Sequence, residues 1–278
     1  SPKYLYTEDI RDFVNRDNLP DELYNLDILD GSPPCSSFSV AGNREKDWNK
    51  KKVFREGQTE QKLDDLFFEF IKLVNKFKPK VVIAENVKGI LNSNSKAYLY
   101  QINKELKEAG YKVQLFCLNA ASMGVPQKRE RVFFICSRND LSFPDLKLSF
   151  NESLIPYKDI EDIEENTNRQ TRTYKGWIAT NPGQNFRDGL NDGGSMFGYT
   201  KLNRNDAIRT IVSSHGTFEW HDTLFRVLND NELKLVGSYP LDYNFISIQP
   251  KYLIGMSVPP VMTAQIANQI YLQWFKNK

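Results

Sequence analysis

Residues 26–35 read Leu26-Asp-Ile-Leu-Asp-Gly-Ser-Pro-Pro-Cys35 and place a short apolar segment directly before two prolines and a thiol. Such a run is typical of a buried strand, and paired prolines end it because proline has no amide hydrogen to donate. A lone cysteine is more often a small buried apolar residue, but Gly31, Ser36 and Ser37 around it are typical of a loop. Because open α/β proteins bind ligands at the carboxyl ends of their strands, Cys35 is predicted to lie at a ligand site.

Three further segments, residues 81–84, 111–118 and 131–136, are rich in strand-forming residues. Between the strands, apolar residues recur every three or four positions over residues 63–77 and 99–106, the second run ending before Gly110. This alternation of strand and helix predicts an α/β fold: a Rossmann-like parallel sheet with helices on both faces.

Prolines and glycines interrupt the periodicity after residue 138, and regular patterning returns near residue 206. We therefore predict three regions: residues 1–138 and 206–278 form the catalytic domain, and residues 139–205 form a smaller, loop-rich region. Within the last region, residues 208–212 suit a strand, and residues 229–236 and 261–275 suit helices.

The composition limits which classes of protein this chain can belong to. The chain has 278 residues, 40% of them hydrophobic, and a formal charge of +2, so any nucleic-acid contact must use a local basic patch. Three cysteines, Cys35, Cys117 and Cys136, have no metal or disulfide spacing, which favours a reducing compartment, by default the cytoplasm. Cys117 and Cys136 are expected to be inert core residues. The sequence contains no run of about eighteen apolar residues, the length that would suggest a membrane span.

Two charged motifs accompany the predicted strands. Glu85-Asn-Val follows residues 81–84 as Cys35 follows the first strand, so a carboxylate and a thiol are expected at one sheet edge. A carboxylate there is more often a helix cap or a surface charge, and only the pairing with Cys35 favours a site. Gln127-Lys-Arg-Glu-Arg131 places alternate long side chains on one face as the fourth strand begins, which alone is typical of a solvated edge.

A basic segment with Trp48 and Phe54 follows Cys35, and residues 40–58 are a candidate lid. Cations beside aromatics suit phosphate contact and base stacking, although charge runs are usually solvated loops. The two histidines, His215 and His221, lack further ligands at metal spacing, so no metal is expected. The cations of the basic segment are Arg44, Lys46, Lys50, Lys51, Lys52 and Arg55.

Taken in order, five motifs resemble those of the DNA (cytosine-5) methyltransferase family. The resemblance covers the chain from about residue 9 to residue 269, with residues 139–205 corresponding to the family's target-recognition region. The motifs are Gly31-Ser-Pro-Pro-Cys-Ser-Ser-Phe-Ser39, Glu85-Asn-Val-Lys-Gly89, Gln127-Lys-Arg-Glu-Arg-Val-Phe-Phe-Ile135, Arg209-Thr-Ile211 and Gly255-Met-Ser-Val-Pro-Pro260.

The resemblance implies a reaction. Cys35 would add as a thiolate to carbon 6 of a cytosine swung out of the DNA duplex, which activates carbon 5 toward the methyl group of S-adenosylmethionine. Glu85 would hold ring nitrogen 3 and assist its protonation. Arg129 and Arg131 would support the ring and the adduct electrostatically, with Arg129 the candidate for lowering the thiol pKa.

It also implies two binding sets. Residues matching cofactor positions are Asp9, Ile10, Pro34, Leu66, Ser257 and Val258. Candidate DNA contacts are Ser37, Arg44, Lys46, Lys50, Lys51, Lys52, Arg55, Gln127, Arg172, Lys175 and Arg187, with Gln127 having either a structural or a DNA-contacting role.

Two departures from the family pattern qualify these expectations. The Phe-x-Gly-x-Gly cofactor turn that the family carries before the nucleophile motif has no counterpart from Ser1 onward, so we expect a fragment, a companion subunit carrying that turn, or an upstream stretch. Met256 replaces the family's usual Asn, which predicts a kept turn with altered hydrogen bonding.

Three functions remain open. The leading one is a DNA cytosine-5 methyltransferase of a bacterium or phage that serves restriction-modification or anti-restriction. The second keeps the fold but methylates transfer RNA. The third is a catalytically inactive DNA-binding or scaffolding relative, which the missing turn favours and the intact Cys35, Glu85, Arg129 and Arg131 oppose.

Overall fold

The computed structural model describes residues 2–34, 51–52, 61–62, 65–92, 95–162, 172–190, 196–214, 216–246 and 248–276. The chain divides into two compact units, residues 1–118 with 130–146 and residues 119–129 with 147–278. This division follows neither of the boundaries at 138 and 205, so the recognition region remains a prediction from sequence. No helix of the described ranges is long and apolar enough to cross a membrane.

The first unit contains a four-stranded sheet in the order β1-β4-β7-β5. The predicted strands near residues 26, 81, 111 and 131 all occur, each longer than or shifted from its predicted bounds. The elements of this unit are α1 (Ile10–Val14), β1 (Ile28–Gly31), β2 (Lys51–Lys52), β3 (Gln61–Lys62), α2 (Leu66–Phe77), β4 (Val81–Val87), α3 (Lys96–Glu108), β5 (Tyr111–Asn119) and β7 (Glu130–Arg138).

The sheet is mixed, and the prediction of a purely parallel sheet was wrong. β1 pairs with β4 in parallel, with Ile28 opposite Val81, but β4 pairs with β7 in the antiparallel sense, with Val87 opposite Arg131. The connection between β5 and β7 explains the reversal. It has ten residues, Ala120 to Arg129, and a parallel crossover needs about a dozen or more, usually with a helix.

The core of the first unit lies between the sheet and two helices. The apolar stripe of α2, including Phe67, Phe70 and Ile71, packs with Ile102 of α3 against the strand face that carries Val82. Each buried side chain of this size contributes about 1.5–3 kcal/mol to folding. The alternate strand residues are buried as well, so both faces are covered; they include Val81, Ile83, Phe133 and Ile135.

The free cysteines of the described residues occupy different environments. Cys136 is fully buried in the core, and burial raises its pKa. Cys117 is exposed, so the expectation that it is a core residue was wrong. It lies on β5, the strand at one end of the sheet order, where only Tyr111 is buried and Lys112 and Leu115 are exposed as well.

The second unit is built from short elements around the core of Ile208, Ile211, Leu233, Val236 and Ile254. β6 pairs in parallel with β9, and β8 with β10. Its elements are β6 (Gln127–Lys128), α4 (Arg172–Ala179), α5 (Phe186–Leu190), β8 (Tyr199–Lys201), β9 (Ile208–Arg209), β10 (Phe218–Trp220), α6 (Asp230–Val236), α7 (Pro250–Met256) and α8 (Pro260–Ile270), which continues as a π-helical turn over Tyr271–Phe275.

Candidate active site

The turn that leads to Cys35 is fixed from two sides in the first unit. The side-chain amide of Asn86 donates to the carbonyl of the buried Pro33 at 3.2 Å, which ties the turn to β4. A Cβ on Gly31 would lie 2.4 Å from the ring of Phe70, so only glycine fits there. Cys35 itself lies outside the described residues.

Glu85 and Arg131 form an ion pair across β4 and β7. Nε of Arg131 lies 2.9 Å from Oε1 of Glu85, and the two side chains are only 13% and 12% exposed. Burial lowers the pKa of Arg131, and the charge and hydrogen bond of Glu85 oppose that shift. Glu85, Asn86 and Val87 lie inside β4 rather than beyond it, so the predicted end of this strand was three residues too early.

The pair orients the Glu85 carboxylate. A guanidinium offers donors in a fixed planar fork, so it holds a carboxylate in one orientation. An amidine-like ring nitrogen with its proton is a suitable partner for such a carboxylate. The sequence analysis expected this acidic group and this cation to act on one substrate, and the structure brings them together.

Arg129 lies in the second unit, fully enclosed. Its side chain donates to the carbonyls of Ile211, Gly255 and Ser257 at 2.9, 2.9 and 2.7 Å. The residue is 1% exposed. These contacts place the two arginines of the motif in different environments, because Arg131 binds a carboxylate and Arg129 binds main-chain carbonyls.

Gln127 is also fully buried in the second unit. Its Nε2 donates to the carbonyl of Val236 at 3.0 Å, and its Oε1 accepts from the amide of Ile211 at 3.1 Å. A side chain with 0% exposure has no surface to present to DNA. The burial of Gln127 therefore argues against the DNA contact proposed for it from the sequence. The structural role that the sequence left open for it is the one that these bonds support.

The first-unit residues matched to the cofactor offer an acceptor and apolar walls. Oδ1 of Asp9 caps α1 by accepting from the amide of Arg11 at 2.9 Å, and the carboxylate also pairs with the Arg11 guanidinium. Its oxygens retain lone pairs for a further donor such as an adenine amino group. Ile10 and Pro34 are half-buried and Leu66 is buried, which suits the faces of an aromatic base.

The second-unit residues matched to the cofactor follow α7. The amide of Ser257 donates to the carbonyl of Leu253 at 2.9 Å and its hydroxyl to that of Ile254 at 3.1 Å, so Ser257 closes the helix. Val258 is half-buried in the next position. The helix therefore ends in a turn at Met256 and Ser257, and Met256 is 51% exposed.

The candidate DNA contacts are described only in part. Lys175 on α4 and Arg187 on α5 are exposed, as a phosphate contact requires. Lys51 and Lys52 form β2, which pairs with β3, and Arg172 begins α4, but their side chains are not described. The remaining basic and polar candidates lie outside the described residues: Ser37, Arg44, Lys46, Lys50 and Arg55.

One cluster of potential metal ligands occurs within the described ranges: Glu161, His221 and Asp222. Nδ1 of His221 accepts from the amides of Thr223 and Leu224, both at 3.1 Å, and Nε2 faces Glu161 at 3.2 Å. Burial, first, and the charge of Arg226 lower the pKa of His221. A neutral ring that accepts at Nδ1 and donates at Nε2 satisfies these contacts. His215 lies outside the described residues.

A buried ion pair in the second unit escaped the sequence analysis. Arg226 and Glu232 approach to 2.7 Å with side chains 4% and 0% exposed, and the hydroxyl of Tyr157 donates to the same carboxylate at 2.7 Å. Asn229 and Glu232 form a capping box at the start of α6. The spacing Asn-x-x-Glu before an apolar helix was the available signal.

Comparisons with known proteins give a family and named relatives. The family model described as C-5 cytosine-specific DNA methylase matches residues 4–272. The type II methyltransferase M.NgoFVII of Neisseria gonorrhoeae is 29% identical over 92% of this chain and 71% of its own. The type II methyltransferase M.HhaI of Haemophilus parahaemolyticus is 34% identical over 54% of this chain and 43% of its own.

Solved structures share the fold. A prophage-encoded protein of E. coli, described as a DNA modification methyltransferase, superposes with a TM-score of 0.62 at 19% identity, covering 91% of this chain and 80% of its own. At this identity the likeness shows the fold alone, and it confirms the predicted methyltransferase architecture.

Proposed function

The chain belongs to the C-5 cytosine-specific DNA methylase family, and from this premise we propose that it methylates carbon 5 of a cytosine in double-stranded DNA through a covalent adduct at Cys35. The methyl donor of the family is S-adenosylmethionine, which supplies an electrophilic methyl group when bound. Membership of this family is the basis for proposing methyl transfer to carbon 5 of cytosine. The ion pair of Glu85 with Arg131 is the observation that supports this chemistry at these residues.

The proposed steps use the residues of the first unit. The thiolate of Cys35 adds to carbon 6 of the cytosine while Glu85 donates a proton toward ring nitrogen 3, so that carbon 5 becomes nucleophilic. After carbon 5 has taken the methyl group, it loses its proton to water, the bond between carbon 6 and the sulfur breaks, and ring nitrogen 3 returns its proton to Glu85. The aromatic ring and the thiolate are thereby restored.

Arg131 serves Glu85 in this scheme. The guanidinium holds the carboxyl group in one orientation and adds positive charge beside the ring as negative charge develops during addition. Asn86 holds the Pro33 carbonyl, which fixes the backbone two residues before the nucleophile. Placing both contacts on β4 gives the acid and the thiol a shared support.

The substrate requires a base outside the helix, because carbon 6 is inaccessible within stacked DNA. We expect the basic segment of residues 40–58 to close over the extruded base, and Lys175 and Arg187 to contact DNA phosphates. The biological setting that fits is modification of DNA in the cytoplasm of a bacterial cell or a phage-infected host, as part of restriction-modification or protection from it.

Trapping with 5-fluorocytosine tests the proposal. The protein as the cell makes it, with any companion chain, is incubated with S-adenosylmethionine and duplex DNA in which fluorine replaces hydrogen at carbon 5 of the target. Fluorine blocks the final elimination, so a complex that survives denaturation is expected. Cys35→Ser should abolish it.

Two other outcomes would overturn the proposal. Specific DNA binding with no adduct would indicate an inactive DNA-binding relative. An adduct formed with 5-fluorocytosine-containing transfer RNA but not with duplex DNA would indicate the RNA-modifying branch.

A further inference from the structure

The Arg129 guanidinium joins three segments of the second unit. Nη1 donates to the carbonyl of Ile211, and Nη2 donates to the carbonyls of Gly255 and Ser257, all within 2.9 Å. Two of these carbonyls belong to the end of α7 and the residue that closes it. The last carbonyls of a helix lack partners within the helix and carry partial negative charge, so a buried cation is well placed there.

The same turn also packs closely against the main chain of Ser213. A Cβ on Gly255 would lie 2.3 Å from the amide nitrogen of Ser213, so main chain meets main chain at this point. The amide and the hydroxyl of Ser257 both return to α7, at Leu253 and Ile254. The conformation of the Gly255–Ser257 turn is therefore set by close packing against Ser213 and by the hydrogen bonds of Arg129.

Gln127 fixes the guanidinium in turn. Its Oε1 accepts from Nη1 of Arg129 at 3.4 Å while it also accepts from the amide of Ile211 at 3.1 Å. Its Nε2 reaches the carbonyl of Val236. The alternation of Gln127 and Arg129 along the chain thus builds one buried network that ends on the turn before Val258.

We propose that Arg129 is a positioning residue that holds the Gly255–Ser257 turn so that Ser257 and Val258 can contact S-adenosylmethionine. This inference rests on the proposed function. It separates the two arginines of the motif, because Arg131 orients the acid that meets the cytosine and Arg129 orients the main chain that meets the methyl donor. Lysine cannot replace Arg129 here, since a single ammonium lacks the planar fork that reaches several carbonyls.

The test compares cofactor binding with turnover in Arg129→Lys and Arg129→Met. We expect the KM for S-adenosylmethionine and its calorimetric Kd to rise about ten-fold or more, while kcat at saturating cofactor falls less than about three-fold. The 5-fluorocytosine adduct should still form at saturating cofactor. Gly255→Ala should give the same pattern, because its new Cβ would clash with the main chain of Ser213 and displace the same turn.

Arg226→Lys is the matched control. Arg226 is also a buried arginine of the second unit, but it binds Glu232 and not the turn. We expect this variant to lose stability without a change in the KM for S-adenosylmethionine. Equal rises in KM for the Arg129 and Arg226 variants would reduce Arg129 to a general structural role and overturn the proposal.

A fall in kcat with unchanged cofactor affinity would overturn it as well, because Arg129 would then act at the reaction itself. These results differ from a failure of the proposed function. In that case the wild-type protein would bind no S-adenosylmethionine and form no adduct, whatever residue 129 is.

Discussion

Glu85 and Arg131 lie on neighbouring antiparallel strands with Oε1 and Nε 2.9 Å apart, and both side chains are nearly buried. At this exposure solvent screens the pair little, so the loss of one partner costs more than at the surface. Breaking a fully buried pair costs about 3–5 kcal/mol because it leaves an uncompensated charge. The pair therefore contributes to stability and to the orientation of a catalytic acid, and a variant must separate the two effects.

Glu85→Gln separates them. The amide oxygen can still accept from Arg131, but the side chain can no longer donate an acidic proton, so kcat should fall by about 10²-fold or more. The midpoint of thermal unfolding should change less than with Glu85→Ala, which leaves Arg131 without this partner. Methyl transfer from labelled S-adenosylmethionine to duplex DNA and thermal unfolding measure the two effects.

Glu130→Gln is the control for that prediction. Glu130 pairs with Lys88 at 2.8 Å, but the two side chains are 45% and 55% exposed. Exposed pairs contribute about 0–1 kcal/mol, so stability and kcat should be almost unchanged. Retention of full kcat by Glu85→Gln would contradict the acid role of Glu85.

Gly31→Ala should distort the turn before Cys35. The new Cβ would lie 2.4 Å from Cε2 of the buried Phe70, and overpacking of this kind costs about 1–3 kcal/mol. Displacement of the nucleophile should also lower kcat. Urea unfolding and adduct formation with 5-fluorocytosine measure both effects.

Adding Phe70→Leu to Gly31→Ala should restore part of the loss, because it removes the clashing ring atom. A double-mutant cycle with a coupling energy near zero would count against this packing. Gly216→Ala is the matched control, since among the described residues the nearest atom to its Cβ is Ser214 Oγ at 4.0 Å.

Gln127→Leu should affect folding and leave DNA binding intact. It removes the partner of the Ile211 amide and of the Val236 carbonyl, and burial of unsatisfied polar groups costs about 1–3 kcal/mol. Fluorescence anisotropy with a labelled duplex should give an unchanged Kd at a temperature where the variant is folded. A Kd raised as much as by Lys175→Ala would restore the DNA contact expected from sequence.

Lys175→Ala and Arg187→Ala should show the opposite behaviour. Both residues are exposed, so their loss should leave the unfolding free energy nearly unchanged. If each contacts one phosphate, the slope of log Kd against log salt concentration should decrease by about one for each variant. Lys104→Ala, on the exposed side of α3, is a control expected to leave that slope unaltered.

The sequence placed Glu85 and Arg131 beside recognisable strands, which made both of them site candidates. Their ion pair was not predicted, because it depends on the antiparallel pairing of β4 with β7. The direction of β7 was mispredicted, although the short connection before it excluded a crossover helix. α4 has only eight residues and α5 only five, and each contains a glycine. Helices this short show too few turns for their apolar periodicity to be recognised. The partners of Arg129 lie about 80 to 130 positions away, which no local pattern encodes.

Glu232 should make stability depend on pH in a defined window. Burial alone would raise its pKa, but hydrogen bonds from Arg226, the Asp162 amide, Tyr157 and the Asn229 amide outweigh burial and hold the pKa below its usual value of 4.5. A carboxyl group with a lowered pKa in the folded state stabilises the protein above the unfolded pKa. That stabilisation is lost as the pH falls below 4.5 and through the folded value.

Tyr157→Phe isolates this effect, because it removes one donor to the Glu232 carboxylate and keeps the ring in the core. With one donor fewer, the folded pKa should lie closer to 4.5, so the variant gains less from ionised Glu232. We expect the variant to be about 0.5–1.5 kcal/mol less stable than wild type at pH 7, and the difference to shrink as the pH falls below 4.5 and through the lowered folded pKa of Glu232. Urea unfolding at a series of pH values measures it. A difference that stays constant over that range would show that the hydroxyl contributes packing alone, since only a bond to the ionised form disappears when Glu232 is protonated.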